Sequence, residues 1–483
     1  MKSFFDINLI HPKKIYFWII IFFLIRLIGI TNPPLEIAHN WRQSTVVMVA
    51  RNFHEQHHNI LYPRIDNAGE KTGITGMEFP ILNYLIALIA DIFGYQHWYG
   101  RLINLIVSSL GILYFFCIIK KYFTEKIAFT SALFLLSSIW FAYSRKIMPD
   151  TFSVSFVIAS IYFGSNYLEN SNTKRNYGQL ILSLLCLLIG ALAKIPAAYL
   201  ITLYLGFLFK KAIPTTNKIT LFTGIGIILI PIGLWYFYWV PYLVDHFGFW
   251  HFFMGKSISL GWIEIYNNIN ETFKKFYSDA LKYIGFVFFL NGVFSALKNK
   301  NKLLIFILAS TSLLFFILVL QSGETFYKHS YYVIPYVPVM ALLAGYGIQQ
   351  FNSRKIQLFF IFAICLEGVL NQIHDFRIKP EYAEIQNLNN ELNTFSSQKD
   401  LFLINSGNNP TPMYFAHRKG WVFDNLYINN PTHIVELKEK GLKYIVILKR
   451  AFAEEIKLPY PVILNKDEWT VYKIEEGISS TVN

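Results

Sequence analysis

The chain has 483 residues, of which 54% are hydrophobic and only 15% charged, more apolar surface than one water-soluble core can bury. Its net charge of +13 is spread as short basic clusters between apolar runs, which argues against a single nucleic-acid-binding patch and for membrane topology. Three cysteines (Cys117, Cys186 and Cys365) stand in separate apolar runs, so neither a disulfide framework nor a thiolate metal site is expected.

A membrane span needs roughly 17 to 25 mostly apolar residues. About eleven runs qualify, starting near Ile15, Leu102, Ile127, Thr151, Tyr177, Ile195, Ile219, Ala280, Leu303, Tyr331 and Ile356. The first follows Lys13 and Lys14 without a small-residue cleavage site, and is expected to stay as a span. Short loops on one side carry Lys120, Lys121 and Lys126, then Lys174 and Arg175, Lys210 and Lys211, Lys298, Lys300 and Lys302, and Arg354 and Lys355. The positive-inside rule makes that side cytoplasmic, with the N-terminus there and the C-terminus across the membrane.

The outer side then holds a long first loop, residues 32–97, rich in polar groups: Glu36, His39, Asn40, Trp41, Arg42, Gln43, Arg51, Arg64, Asp66, Lys71 and Glu78. The run Trp41–Phe53 has apolar residues at helical spacing, and reads as an amphipathic helix with Arg42 and Arg51 on a polar surface. Pro80–Phe93 is too short to span and reads as an interfacial helix; counting it as a span would turn the basic loops outward. Asp150, after the Arg145 to Pro149 turn, Lys194 in ALAKIP, and Lys328 with His329 sit at span ends on this same side. Arg26 lies within the first span, where a charge is costly and is expected to face the bundle.

After residue 373 polar helix-like stretches (Pro380–Leu392, Pro431–Lys440) alternate with strand-like runs (Leu401–Asn405, Tyr444–Leu448, Trp469–Ile474). The expected architecture is a polytopic α-helical membrane domain, residues 1–372, followed by a small soluble α/β domain, residues 373–483, on the outer face. Neither a nucleotide fingerprint nor an internal repeat is evident. His57 and His58, adjacent on a helix, would point in different directions, and no tightly bound metal is expected.

The order of a first span, a polar outer loop opening with HNWRQ, the segment GITGMEFPILNYLIALIADIFG, YGRLINLI, SRKIMPD, ALAKIP and HSYYVIPYVP resembles the C-type glycosyltransferases. More narrowly it resembles the bacterial protein O-mannosyltransferase and aminoarabinose-transferase group (family 39-like), in a subgroup with HxWRQ in its first loop. The resemblance covers roughly residues 15–350, and the tail with Tyr414, HRKGW (417–421) and GLKYIVIL (441–448) is similar to the outer domain of such proteins.

The resemblance implies inverting transfer of a sugar from a polyprenyl-phosphate carrier to a protein, lipid or glycan acceptor on the outer side of a bacterial inner membrane. No cofactor and no nucleic acid enter. A carboxylate is needed to take or orient the acceptor proton, and cations to stabilise the departing phosphate. Some relatives carry Asp where this chain has Asn40, and an amide is no base. The expected catalytic carboxylate is therefore Glu78, with Glu36 and Asp66 behind it and Asp150 orienting the acceptor or a base. Arg42, Arg101, Lys194, His329, His39 and Gln43 are the expected phosphate and sugar contacts, with Trp41 as a stacking surface. The competing readings are a multi-pass transporter, a lipid-linked glycan polymerase or ligase, and a non-catalytic relative.

Overall fold

The structure is a computed structural model, described here for residues 14–169, 176–249, 255–452 and 456–474. Lys13, Lys174, Arg175 and the C-terminus, used above to orient the chain, lie outside the described residues. One compact unit holds the described residues of Met1–Ile30, Tyr99–Trp239 and Phe252–His374, and a second those of Thr31–Trp98, Val240–His251 and Asp375–Asn483.

Helical structure begins in or near each of the eleven expected places, but the lengths differ. Five stretches are long and apolar enough to cross a membrane: Tyr99–Tyr122, Thr215–Phe247, Lys302–Ser322, Ser330–Ile348 and Arg354–Phe376. A sixth results if Ile269–Ala280 and Lys282–Lys298 are joined across a 99° bend. The rest are shorter or interrupted. Ile15–Leu27 has 13 residues, a length of ~20 Å against a hydrocarbon core of ~30 Å. Glu125–Ser137 starts on a Thr124 side-chain cap and stops where Ser138 turns extended, and Ile195–Tyr204 is a 3₁₀ helix with Pro196 at its start.

Within the first unit the most apolar window of Ser330–Ile348 is 94% buried and that of Arg354–Phe376 only 17%, so the former is central and the latter peripheral. Ile227, Ile230, Phe237, Phe294, Leu313, Phe359 and Phe362 project outward, a pattern that suits hydrocarbon and not water. Small residues let the helices approach closely. A Cβ on Gly190 would press on the Ser153 carbonyl, and one on Gly347 on the Phe288 carbonyl and Gly292.

In the second unit a five-stranded sheet forms from β1 (Leu401–Ile404), β2 (Lys419–Val422), β3 (Leu442–Leu448), β4 (Val462–Asn465) and β5 (Trp469–Lys473), in the order β2-β1-β3-β5-β4. β1 pairs in parallel with β2 and β3, while β5 runs antiparallel to β3 and β4. Six of the seven residues of β3 are buried, as suits a strand covered on both faces. The helix Pro431–Glu439 crosses from β2 to β3 and buries Ile434 and Leu437 against Leu403, Ile445 and Ile447. Residues from the first loop extend the β2 edge: the Gly420 amide donates to the Asp66 carbonyl (3.0 Å), and the Gly69 amide to the Gly420 carbonyl (2.7 Å).

The helix expected over Trp41–Phe53 runs from Asn40 to Glu55, but not as a half-exposed interfacial element. Arg42 through Phe53 are all buried, so the arginines do not reach toward solvent. Because a buried charge needs a partner, each side of this polar helix must be answered by other chain segments. The expected helix after Pro80 spans Ile81–Phe93. His57 and His58 follow the end of the first of these helices and are not helical, which corrects the reading of two side chains held apart by a helix.

Candidate functional site

Arg42 and Arg51 are nine residues apart on one helix, hence roughly 180° apart around its axis. Arg51 faces structure. Its guanidinium donates to Asp66 Oδ2 (2.7 Å) and to the Tyr414 carbonyl (2.8 Å), and lies 4.6 Å over the Tyr414 ring. Burial alone would lower the Arg51 pKa, but Asp66 and the neighbouring acidic groups hold it above its ordinary value. Asn52 takes the other Asp66 oxygen (2.8 Å), so both oxygens of that carboxylate are occupied. The Tyr414 and Tyr95 hydroxyls meet at 3.0 Å, and burial pushes both phenols up.

On the opposite side Arg42 is ion-paired with Glu78, and both side chains are buried. Only one oxygen of Glu78 is used. The other, Oε2, is buried and has no hydrogen-bond partner among the described residues. Glu36 is fully buried and accepts a long hydrogen bond from Nε2 of Gln43 (3.5 Å), the residue next to Arg42 on the helix. His39 precedes the helix in the left-handed conformation (φ 59°), and its carbonyl accepts the Gln43 amide. Trp41 is half-buried, and Asn40 lies 3.5 Å from Asn409.

A separate polar centre forms within the first unit. Asp150, in the first turn of Pro149–Glu169, is ion-paired with Lys194, which ends Tyr177–Ala193. As with Glu78, the second carboxylate oxygen, Oδ2, is buried and without a partner among the described residues. The Lys194 ammonium lies 4.6 Å from the Tyr331 ring centroid and 5.4 Å from that of Tyr332. His329 stacks on the same two rings, with centroids 5.3 and 6.4 Å away.

The turn before Asp150 is held by Asn104, whose amide donates to the carbonyls of Tyr143 (3.0 Å), Lys146 (2.8 Å) and Met148 (3.2 Å). Around it, Arg101 donates to the Ile30 carbonyl (3.0 Å), Arg145 to those of Ile28 (2.6 Å) and Gly29 (3.1 Å), and Arg26 to the Phe22 carbonyl and Ser144. All three guanidiniums are buried. The bundle-facing position expected of Arg26 is the one observed.

The structure thus joins Glu78 to Arg42, Glu36 to Gln43, and Asp150 to Lys194 and the tyrosines beside His329. Sequence reasoning did not single out Asn104, and named Tyr331 and Tyr414, with Tyr332 inside HSYYVIPYVP, as landmarks and not as site residues. Asn104 carried a usable signal, an amide inside an apolar helix, where polar groups are costly unless they bond. Among the described residues no three His, Cys, Asp or Glu side chains form a group that could hold a metal ion. Chemically, a buried carboxylate with one oxygen on a cation and one unpartnered can accept a proton or hydrogen bond from a hydroxyl. Buried arginine and lysine can receive phosphate oxygens.

Residues 78–238 match the model of the dolichyl-phosphate-mannose-protein mannosyltransferase family. No curated protein sequence matches this chain. Among solved structures, ArnT from Cupriavidus metallidurans bound to undecaprenyl phosphate superposes with a TM-score of 0.60 at 10% identity, covering 94% of this chain and 98% of that one. Its apo form gives 0.59 at 11% identity, over 94% and 97% of the two chains. The archaeal oligosaccharyltransferase AglB from Archaeoglobus fulgidus, in complex with an inhibitory peptide and a dolichol-phosphate, gives 0.55 at 12% identity, over 89% of this chain and 69% of that one.

Proposed function

We propose that this chain, which has the fold of the C-type membrane glycosyltransferases, moves a sugar from a polyprenyl-phosphate carrier to an acceptor on the outer face of a bacterial inner membrane. The observation that supports this most strongly is the fold shared over nearly its whole length with ArnT, whose structure holds undecaprenyl phosphate. Glu78 and Asp150 add the chemistry, since each keeps one buried oxygen unpartnered among the described residues.

In the reaction the acceptor oxygen attacks the anomeric carbon from the side opposite the phosphate, so the configuration inverts. The new carbon–oxygen bond forms as the bond to phosphate oxygen breaks, the phosphate leaves with the electron pair, and the acceptor proton passes to a carboxylate. Glu78 is the favoured base. Asp66 is less suited, because Arg51 and Asn52 occupy both its oxygens. Arg42 gives Glu78 a built-in order of events. While paired with Arg42 one carboxylate oxygen is occupied, and a donor phosphate that takes the guanidinium frees it. The roles assigned to the other residues are orientation of the acceptor or a base for Asp150, contacts to phosphate and sugar for Arg101, Lys194, His329, His39 and Gln43, and a stacking surface for Trp41. Glu36 stands behind Glu78 as a reserve carboxylate. No cofactor is required.

Binding of a polyprenyl-phosphate hexose to the purified full chain in detergent tests the order of events. Arg42→Lys keeps the charge but loses the planar fork, and weaker donor binding with unchanged folding is expected. Undiminished affinity would remove Arg42 from the phosphate site. The same reading has about eleven crossings, a cytoplasmic N-terminus and a periplasmic C-terminus. A phosphatase reporter fused after Asn483 should be active, and a silent but stably inserted fusion would reverse the orientation.

A further inference from the structure

Beyond these two centres the second unit contains a cavity that the reaction above does not use. Its walls are His57, His58, Asn59, Tyr62, Arg64, Ile74 and Phe247, and it is an open cleft whose ≈ 970 Å³ includes solvent space at the mouth. Three observations mark it as a built site. The loop carrying Arg64 is pinned on both sides: the Arg64 carbonyl accepts from Asn52 Nδ2 (3.0 Å), Arg64 pairs with Ile74 in an isolated antiparallel bridge, and the Ile65 and Thr75 amides donate to the Gly73 and Pro63 carbonyls. The aromatic wall is fixed too, with Tyr62 and Phe247 meeting edge to face at 6.2 Å and Lys71 tied to the Gly248 carbonyl (2.8 Å).

The third observation is the Arg64 guanidinium. It makes no hydrogen bond or ion pair among the described residues, and its Nε is buried without a partner. Burial pulls its pKa below the ordinary arginine value, as expected of a cation that lacks a counter-charge. An unpartnered arginine fork on a loop whose backbone is held suits a carboxylate or phosphate. The right-angled aromatic pair offers apolar faces to a ring, and Asn59 with the two histidines offers donors and acceptors at its edge. His58 approaches Asp91 through Nδ1 (3.5 Å), leaving its Nε2 edge for a ligand.

We infer that this cavity binds a saccharide bearing a carboxylate or phosphate, with the charge on Arg64 and the ring against Tyr62 and Phe247. That the saccharide belongs to the acceptor rests on the transfer reaction proposed above; the binding site itself does not. Acceptors would then be selected among anionic glycans, and neutral ones would be used poorly.

The test is equilibrium binding to the purified full chain in detergent, with glucuronic acid and glucose 6-phosphate against glucose, inorganic phosphate and phosphatidylglycerol. Both anionic sugars should bind saturably. Glucose and phosphate should each be weaker by about tenfold or more, the size of one charge-assisted hydrogen bond. Arg64→Gln should bring the anionic sugars down to the level of glucose, and Tyr62→Leu should weaken every sugar while sparing phosphate. Equal binding of glucose, equal binding of phosphate, displacement by phosphatidylglycerol alone, or an Arg64→Gln variant that binds as well as the parent would each overturn the site. Donor binding, followed in parallel, separates this failure from that of the transferase reading. Loss of sugar binding with donor binding intact sinks only the cavity, and the converse sinks only the donor.

Discussion

Arg42 and Arg51 place two buried ion pairs on opposite sides of one helix. Arg51 has a fully engaged partner in Asp66, whereas the Arg42 partner, Glu78, keeps an oxygen in reserve. Removing one member of a buried pair leaves the other as an uncompensated charge, at a cost of about 3–5 kcal/mol. Arg51→Ala is therefore expected to lower stability by about that amount, read as a drop in the thermal unfolding midpoint in detergent. Adding Asp66→Ala should recover part of the loss, because the orphaned charge goes with it. A single variant as stable as the parent would show that the pair contributes little. The resemblance pointed to Glu78 from sequence, but its partner 36 positions earlier could not be read there. Ion pairing across a loop leaves no local period in the chain.

Among the elements, β2 carries the junction between the first loop and the sheet. Gly420 sits at φ 150° with Phe402 directly under its missing side chain, and exchanges hydrogen bonds with Asp66 and Gly69. Gly420→Ala is expected to cost about 1–3 kcal/mol and to expose the Gly69 amide to hydrogen exchange. Gly407→Ala is the control. Gly407 also has positive φ (59°) but nothing near its missing Cβ, so it should pay only the backbone penalty of about 1–2 kcal/mol and leave Gly69 protected. Equal exchange at Gly69 in both variants would contradict the role of β2.

Strand legibility follows the same physics. β1, β3 and β5 are apolar runs and stood out, whereas β2 reads KGWV and β4 is an exposed four-residue edge. The helix Asn40–Glu55 misled for a different reason. Its polar positions look solvent-facing by period, yet they are buried because Asp66, Glu78 and Tyr414 supply their partners.

For the whole molecule, hydropathy located the helical stretches well, because apolarity is a local property. It overstated their lengths, since single breaks such as Ser138 and Pro196 shorten a helix without changing the average. What the fold contributes is a scaffold shared with ArnT and AglB. On that scaffold this chain carries a carboxylate at position 78 and Asn at position 40. The most direct test of the account is sugar transfer in proteoliposomes. A panel of labelled polyprenyl-phosphate hexoses and pentoses would be offered with an envelope extract as acceptor, and released polyprenyl phosphate followed for the parent chain and for Glu78→Gln. The account predicts turnover by the parent and a rate lower by about 10²–10⁴-fold in the variant, since the amide keeps the shape but cannot take the proton. Release at equal rates by both, or none from a folded parent with every donor, would contradict it.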